Sequence, residues 1–172
     1  DDHQWLKTYF DFPDRLRLHR LDNMRVFLPS GKSYNFELDA FSGHRLQFDG
    51  FLGEKAIQAG AEIRCGEALK KIQHQSKLNR DLLVTDKGRY SCDYLIDASG
   101  SLAQVARLTK GQDDLYRPKD QIPTIYAQVQ GKIPDSFDVF IGSVAPSGYA
   151  WIIPKGPNSA NVGLGVRAGK LE

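Results

Sequence analysis

The stretch of sequence that decides the fold runs Gly148-Tyr-Ala-Trp-Ile-Ile-Pro-Lys-Gly156 and resumes shortly afterwards as Asn161-Val-Gly-Leu-Gly165. Tyr149, Trp151 and Ile153 stand at alternate positions, so in a strand all three project from one face of a sheet. The two glycines of the second segment leave room for close packing against that sheet. Such a surface suits an apolar ligand. Aromatic core residues and a glycine-marked bulge or twist explain the same pattern.

Outward from this stretch, the final third alternates apolar and polar residues and predicts four strands of a largely antiparallel sheet. Prolines fall between these strands, where the sheet needs no backbone donor. Near the N-terminus, turn residues separate two strand patterns and predict a hairpin. Residues 5–21 read as a short helix or an irregular lead-in. The expected strands are 24–28, 34–38, 124–130, 137–141, 149–154 and 161–166.

The middle of the chain changes period. Phe48, Phe51, Leu52, Ala56 and Ala59 follow helical spacing and predict one apolar helix face, with Gly60 ending the helix in a left-handed cap. Short strands are expected after it, and a second helix is expected over 103–108. The expected strands are 61–65, 68–75, 81–85, 89–92 and 93–97.

These patterns predict a mixed α/β (α+β) fold with few helices, forming one compact unit over residues 1–172. The chain has 41 % hydrophobic residues and a formal net charge of +2, with acidic and basic residues interspersed. This balance argues against nucleic acid as a partner. No apolar run approaches the roughly 20 residues of a membrane-spanning helix. We therefore expect a cytoplasmic protein, with peripheral membrane contact left open.

A strand followed by small residues and a helix occurs at Tyr94-Leu-Ile-Asp-Ala-Ser-Gly-Ser101 and the residues after it. Such a junction lets a phosphate approach the backbone, and Asp97 is suited to accept hydrogen bonds there. The alternative is an ordinary junction in which Asp97 or Ser99 caps the following helix.

The motif at Tyr149, Trp151 and Pro154, with Gly163 and Gly165 after eight intervening residues, resembles the YxWxFP and GxG motifs of the geranylgeranyl reductase family. Those enzymes are FAD-dependent oxidoreductases in the wider p-hydroxybenzoate-hydroxylase-like group. The chain departs from the pattern at one position, where Ile153 replaces Phe. The resemblance implies that this segment lines an isoprenoid cavity, with Tyr149 and Trp151 as walls. The implied substrate-binding residues are Tyr149, Trp151, Ile153, Pro154, Gly163 and Gly165.

The same resemblance implies a second group of residues, which lie near FAD. Arg45, placed before Phe48-Asp49, matches an arginine that lies near FAD in relatives. The segment from Asp97 through Ser99 and Gly100 to Ser101 resembles the second flavin signature of the group, although Ser99 stands where that signature has Asp. Its Asp-Ala-Ser-Gly form is similar to that of flavin-dependent halogenases. The catalytic residue stays unassigned, and no metal site is expected.

The sequence contains no strand-GxGxxG-helix and no late Gly-Asp motif, so the resemblance implies a fragment from the middle of a longer enzyme. The intact enzyme is expected to reduce carbon–carbon double bonds of an isoprenoid lipid with FAD and an unidentified electron donor. The fragment alone is expected to be inactive and not to retain FAD. The alternatives are a flavin monooxygenase or halogenase, and a non-catalytic lipid-binding domain.

Overall fold

The computed structural model describes residues 12–75, 80–109 and 121–167. The sequence predicts one compact unit, whereas the contacts divide the chain into unit 1, made of Asp1–Ala61 and Ile122–Glu172, and unit 2, Glu62–Gln121. Within the described residues, the elements are β1 His19–Phe27, β2 Ser33–Ser42, α1 Arg45–Gln58, β3 Leu69–Gln75, β4 Arg80–Thr85, β5 Arg89–Cys92, α2 Gln104–Leu108, β6 Thr124–Gln130, β7 Phe137–Gly142, β8 Ala145–Gly156 and β9 Ser159–Gly165.

Unit 1 is built on a six-stranded sheet with the order β2-β1-β7-β8-β9-β6. Neighbouring strands are antiparallel except for β1 and β7, which are parallel. The predicted N-terminal hairpin and the four predicted C-terminal strands are all present. The expected largely antiparallel, sheet-rich α/β fold is therefore confirmed.

Helix α1 packs against the start of the described chain. Phe12, Leu16 and Phe51 form a buried cluster, with Phe48 and Leu52 packed against it. The Phe12 and Phe48 rings stack with centroids 5.5 Å apart. Of the five residues on the predicted helix face, Phe51 is thus buried, and Phe48 and Leu52 are partly buried, as their spacing requires. Gly60 follows the helix with a φ of +95°, which confirms the expected left-handed ending.

An ion pair ties β1 to β7 within the sheet. The guanidinium of Arg25 donates to both carboxylate oxygens of Asp138, at 2.9 and 2.6 Å, and the Ser136 hydroxyl donates to the same carboxylate. The Asp138 side chain is only 3 % exposed. Because a buried carboxylate needs partners, this network fixes the pairing of the two parallel strands.

Unit 2 contains a three-stranded sheet, β3-β4-β5, and the short helix α2. The predictions for β3, β4, β5 and the second helix are confirmed. The predicted strands over 61–65 and 93–97 are wrong, because neither segment pairs with a strand in the described chain. Tyr94 and Ile96 are accordingly 90 % and 84 % exposed.

The predicted lead-in over 5–21 lies only partly within the described residues. Asp14–Leu16 form a single 3-10 turn, and β1 begins at His19. The part of the predicted lead-in over residues 5–11 lies outside the described residues.

Candidate active site

Unit 1 contains a cleft of about 710 Å³ over one face of its sheet. Residues 43–47, which lead into and begin α1, form one side of the cleft. The sheet forms the other side. The sheet residues that line it are Tyr126, Gln128, Phe137, Tyr149, Trp151, Ile153, Lys155 and Asn161.

The apolar wall of the cleft comes from alternate residues of β8. Tyr149, Trp151 and Ile153 all line it, as their alternation predicts. The Tyr149 and Trp151 rings lie 5.7 Å apart at an interplanar angle of 53°. The indole Nε1 of Trp151 donates a hydrogen bond of 2.7 Å to Oδ1 of Asn161 on β9. This bond fixes the ring while leaving an apolar surface toward the cleft.

Gly163 makes room for this wall. It pairs with Trp151 on β8 and with Tyr126 on β6. A Cβ at Gly163 would lie 2.5 Å from Cζ2 of Trp151 and 2.6 Å from the backbone oxygen of Ile125. The space that the glycine provides is therefore filled by the protein's own aromatic wall.

The other two residues of the expected substrate set also lie behind the wall. A Cβ at Gly165 would lie 3.1 Å from Oγ1 of Thr124 and 3.2 Å from Cγ2 of Ile122. Pro154 is fully buried and stands opposite Ala160. Neither Gly165 nor Pro154 is among the described residues that line the cleft. Three of the six residues in the expected set thus face the cleft, and three support it.

Arg45, which the resemblance places near FAD, lines the same cleft. It is the first residue of α1, and its Nε donates to Asp49 one helical turn later at 3.1 Å. Its side chain is 86 % exposed. The structure therefore places this arginine at the mouth of the cleft that holds Tyr149 and Trp151.

Lys155 is one of several cleft residues outside the expected site; the other sheet residues outside it are Tyr126, Gln128, Phe137 and Asn161. Nζ of Lys155 donates a 2.6 Å hydrogen bond to the backbone oxygen of Gly43, and burial lowers the pKa of its ammonium group. A signal was available in the sequence, because Lys155 continues the alternation of Tyr149, Trp151 and Ile153. None of the described residues that line the cleft is Asp or Glu.

In unit 2, the expected flavin turn has a well-defined internal structure. Oδ1 of Asp97 accepts hydrogen bonds from the hydroxyl and backbone N–H of Ser99, and Oδ2 accepts one from the N–H of Ala106 at 2.9 Å. The Ser99 hydroxyl in turn accepts from the N–H of Gln104 at 2.8 Å. These bonds, above all that from the Ser99 hydroxyl, lower the pKa of Asp97. Asp97 and Ser99 therefore hold α2 in place, which is the capping alternative.

The next two residues of the turn remain open to a ligand. Gly100 has a φ of +76°, and a Cβ placed there would meet nothing within 4 Å. Ser101 is exposed. A phosphate could thus approach the backbone at Gly100 and Ser101, while Asp97 and Ser99 shape the turn behind them. This much of the turn fits a flavin nucleotide.

Two kinds of feature are absent from the described part of the chain. Residues 12–75, 80–109 and 121–167 hold no cluster of three or more potential metal ligands. No helix in those ranges has the length and apolar character needed to cross a membrane.

The chain is similar to known reductases along most of its length. The family description "Geranylgeranyl reductase catalytic domain" matches residues 123–172. A digeranylgeranylglycerophospholipid reductase 2 of Methanothermobacter thermautotrophicus is 32 % identical over 72 % of this chain and 33 % of its own length. The geranylgeranyl diphosphate reductase of Rhodobacter capsulatus is 27 % identical over 91 % of this chain and 42 % of its own. The chain thus spans less than half the length of these relatives.

Solved structures share the fold. A geranylgeranyl bacteriochlorophyll reductase-like protein of Thermoplasma acidophilum has a TM-score of 0.77 at 21 % identity, covering 94 % of this chain and 44 % of that one. The flavin-dependent halogenase CmlS has a TM-score of 0.68 at 19 % identity, covering 88 % and 30 % of the two chains. Residues 123–172, which contain the YxWxIP and GxG segments, thus match the geranylgeranyl reductase catalytic domain, and the chain is similar to reductases of that family along most of its length.

Proposed function

We propose that the protein reduces carbon–carbon double bonds of an isoprenoid lipid whose chain lies in the cleft of unit 1. One observation carries the proposal: the segment inside the matched catalytic domain builds an aromatic-walled cleft from Tyr149, Trp151 and Ile153. The relatives are named for lipids of this class. Apolar walls with a few placed polar groups are the usual form of a site for such a ligand.

The residues of this chain act by positioning. Trp151 is fixed by Asn161, so its ring loses little further freedom when a chain packs on it. Tyr149 is 50 % exposed and gains buried area on binding. Burial of the lipid against both rings excludes water and holds a double bond in one orientation, which is where most of a positioning enzyme's rate gain arises.

FAD would supply the hydride for this reduction, and reduced flavin would be regenerated by an unidentified donor. On this proposal Gly100 and Ser101 contact the nucleotide through the open backbone, and Asp97 and Ser99 keep that backbone in place. Arg45 stays a second candidate for a flavin contact, through the guanidinium N–H groups that Asp49 leaves free. We expect the 172-residue chain alone to be inactive and not to retain FAD.

A lipid substrate also favours a cytoplasmic protein that contacts a membrane peripherally. Binding to vesicles containing isoprenoid lipid, measured by co-sedimentation, tests this part of the proposal. A chain that sediments equally with and without vesicles contradicts it.

A flavin-dependent halogenase or monooxygenase is the second candidate function, because CmlS shares the fold and the Asp-Ala-Ser-Gly segment is similar in both groups. A non-catalytic lipid-binding domain is the third. Product analysis separates them: saturated isoprenoid supports the reductase, a halogenated or hydroxylated aromatic supports the second, and lipid binding without turnover supports the third.

The wall is tested by Trp151→Leu in the flavin-loaded protein that contains this chain. The change removes the ring that packs on the lipid, so we expect kcat/KM for isoprenoid reduction to fall roughly 10-fold to 100-fold. Tyr34→Leu is the matched control, since Tyr34 is a half-exposed aromatic of the same sheet outside the cleft lining. Equal activity of both variants would overturn the assignment of the cleft.

A further inference from the structure

Strand β8 presents a row of side chains whose polarity changes at one end. Tyr149, Trp151 and Ile153 are followed at the next alternate position by Lys155, and all four line the cleft. At about 3.3 Å per residue, the row spans roughly 20 Å. It is therefore apolar for most of its length and cationic at one end, which is the profile of an amphiphile with an anionic head.

The ammonium group of Lys155 is not neutralised by the protein. It donates to the neutral backbone oxygen of Gly43, and no carboxylate of the described residues lies within ion-pair distance. An ammonium group has three donors, so one hydrogen bond leaves two of them for a ligand. A partly desolvated cation without a counter-charge gains most from an anionic partner.

The other charged and polar groups of the cleft add to this preference. Arg45 brings a second cation, paired with Asp49 on the helix surface, and His44 precedes it. Gln128 and Asn161 offer amide groups from β6 and β9. Because the described lining includes no carboxylate, it carries no negatively charged side chain that would repel an anion.

We infer that Lys155 binds the phosphate ester at the head of the isoprenoid lipid, so that the lipid lies along β8 with its head at Lys155 and its chain toward Tyr149. This inference rests on the proposed function and adds to it a specificity residue and a direction for the substrate. The position of the head then determines which double bonds along the chain reach the reacting position.

A phosphate ester could also come from the flavin nucleotide. The row of aromatic residues leading up to Lys155 favours the lipid, because an apolar chain has to continue from the head along β8. The experiment therefore also measures FAD binding by the unmodified protein and by Lys155→Gln.

The test uses the purified flavin-binding protein that contains this chain and compares its binding of geranylgeranyl monophosphate and geranylgeraniol by isothermal titration calorimetry. The two ligands share one chain and differ in the phosphate. We expect the unmodified protein to bind the phosphate at least about 10-fold more tightly, the gain typical of a charge-assisted hydrogen bond. In Lys155→Gln this preference disappears, while the affinity for the alcohol stays unchanged. Lys155→Arg keeps most of the preference.

Lys132→Gln is the matched control, because it removes an exposed lysine of the same unit outside the cleft lining. It leaves both affinities unchanged. Equal weakening of both ligands in Lys155→Gln would assign Lys155 to holding the Gly43 turn and overturn the inference. Weakened FAD binding with an unchanged phosphate preference would also overturn it. If the unmodified protein binds neither lipid, the proposed function itself fails.

Discussion

The aromatic residues that line the cleft pack closely around Gly163, where any side chain would clash. Trp151 lies over it from β8, and Tyr126 approaches it from β6. The backbone oxygen of Ile125 closes the third side, so the site has no room for a side chain. The aromatic wall of the cleft therefore depends on a residue that does not itself line the cleft.

Gly163→Ala should lower the free energy of unfolding by about 1–3 kcal/mol, the usual range for overpacking. The added Cβ would clash with Trp151, with the backbone oxygen of Ile125 and with Cβ of Tyr126. Urea denaturation followed by circular dichroism measures it. Gly50→Ala is the control with the opposite sign, since Gly50 lies in α1 and an added Cβ meets nothing within 4 Å. It should stabilise the protein by about 0.5–1 kcal/mol. Equal effects of the two changes would contradict this account of Gly163.

At the scale of elements, the turn before α2 depends on one carboxylate. Bonds from Ser99 and Ala106 hold the pKa of Asp97 below its ordinary value near 4. Since the folded-state pKa is depressed, the stabilisation is fully present above the unfolded-state pKa and is lost as pH falls through the folded-state pKa.

Asp97→Asn should therefore lower Tm near neutral pH, and the difference in Tm from the unmodified protein should shrink as pH falls below about 4. Scanning calorimetry at several pH values measures the difference. Ser99→Ala also removes the bond that the Ser99 hydroxyl accepts from the N–H of Gln104, which does not depend on the charge of Asp97, so part of its effect should persist to lower pH. A difference in Tm between Asp97→Asn and the unmodified protein that stays constant from pH 7 to pH 2 would contradict the capping role of Asp97.

The pairing of β1 with β7 depends on a second carboxylate. Arg25→Met leaves Asp138 buried without its cation, and we expect a loss of about 2 kcal/mol, less than the ~3–5 kcal/mol of a fully buried pair because Arg25 is partly exposed. A double-mutant cycle with Asp138→Asn measures the coupling by urea denaturation. Additive effects of the two changes would show that the ion pair does not couple the strands.

Most elements could be predicted because their signals are local. Alternation identified β6 to β9, and helical spacing with Gly60 identified α1. The segment 93–97 could not be predicted, because its apolar residues read as a buried strand while Tyr94 and Ile96 have no described partner. The parallel pairing of β1 and β7 joins residues more than a hundred positions apart, and no local pattern specifies it.

In the candidate site, too, positions along one strand could be predicted from the sequence, whereas contacts between elements could not. Alternation along β8 placed Tyr149, Trp151 and Ile153 in one wall. Sequence spacing did not indicate that Gly163 supports Trp151, that Asn161 anchors its indole, or that Lys155 reaches Gly43. Each of these contacts joins different elements, so each depends on the sheet register or on the position of the chain before α1.

At the scale of the whole molecule, the described chain consists of two units with different roles in the proposal. Unit 1 contains the cleft proposed for the lipid, and unit 2 contains the turn proposed for the flavin nucleotide. Curated reductases match across most of the chain, so the matches include residues of both units.

The most direct test of this account is reduction of an isoprenoid lipid by the flavin-loaded protein that contains this chain. The protein, chemically reduced without oxygen, is incubated with a geranylgeranyl lipid, and the product is analysed by mass spectrometry. We predict a gain of two hydrogen atoms for each reduced double bond, and loss of most of this gain in Trp151→Leu. An unchanged lipid, together with halogenation or hydroxylation of an aromatic compound once oxygen is admitted, would contradict it.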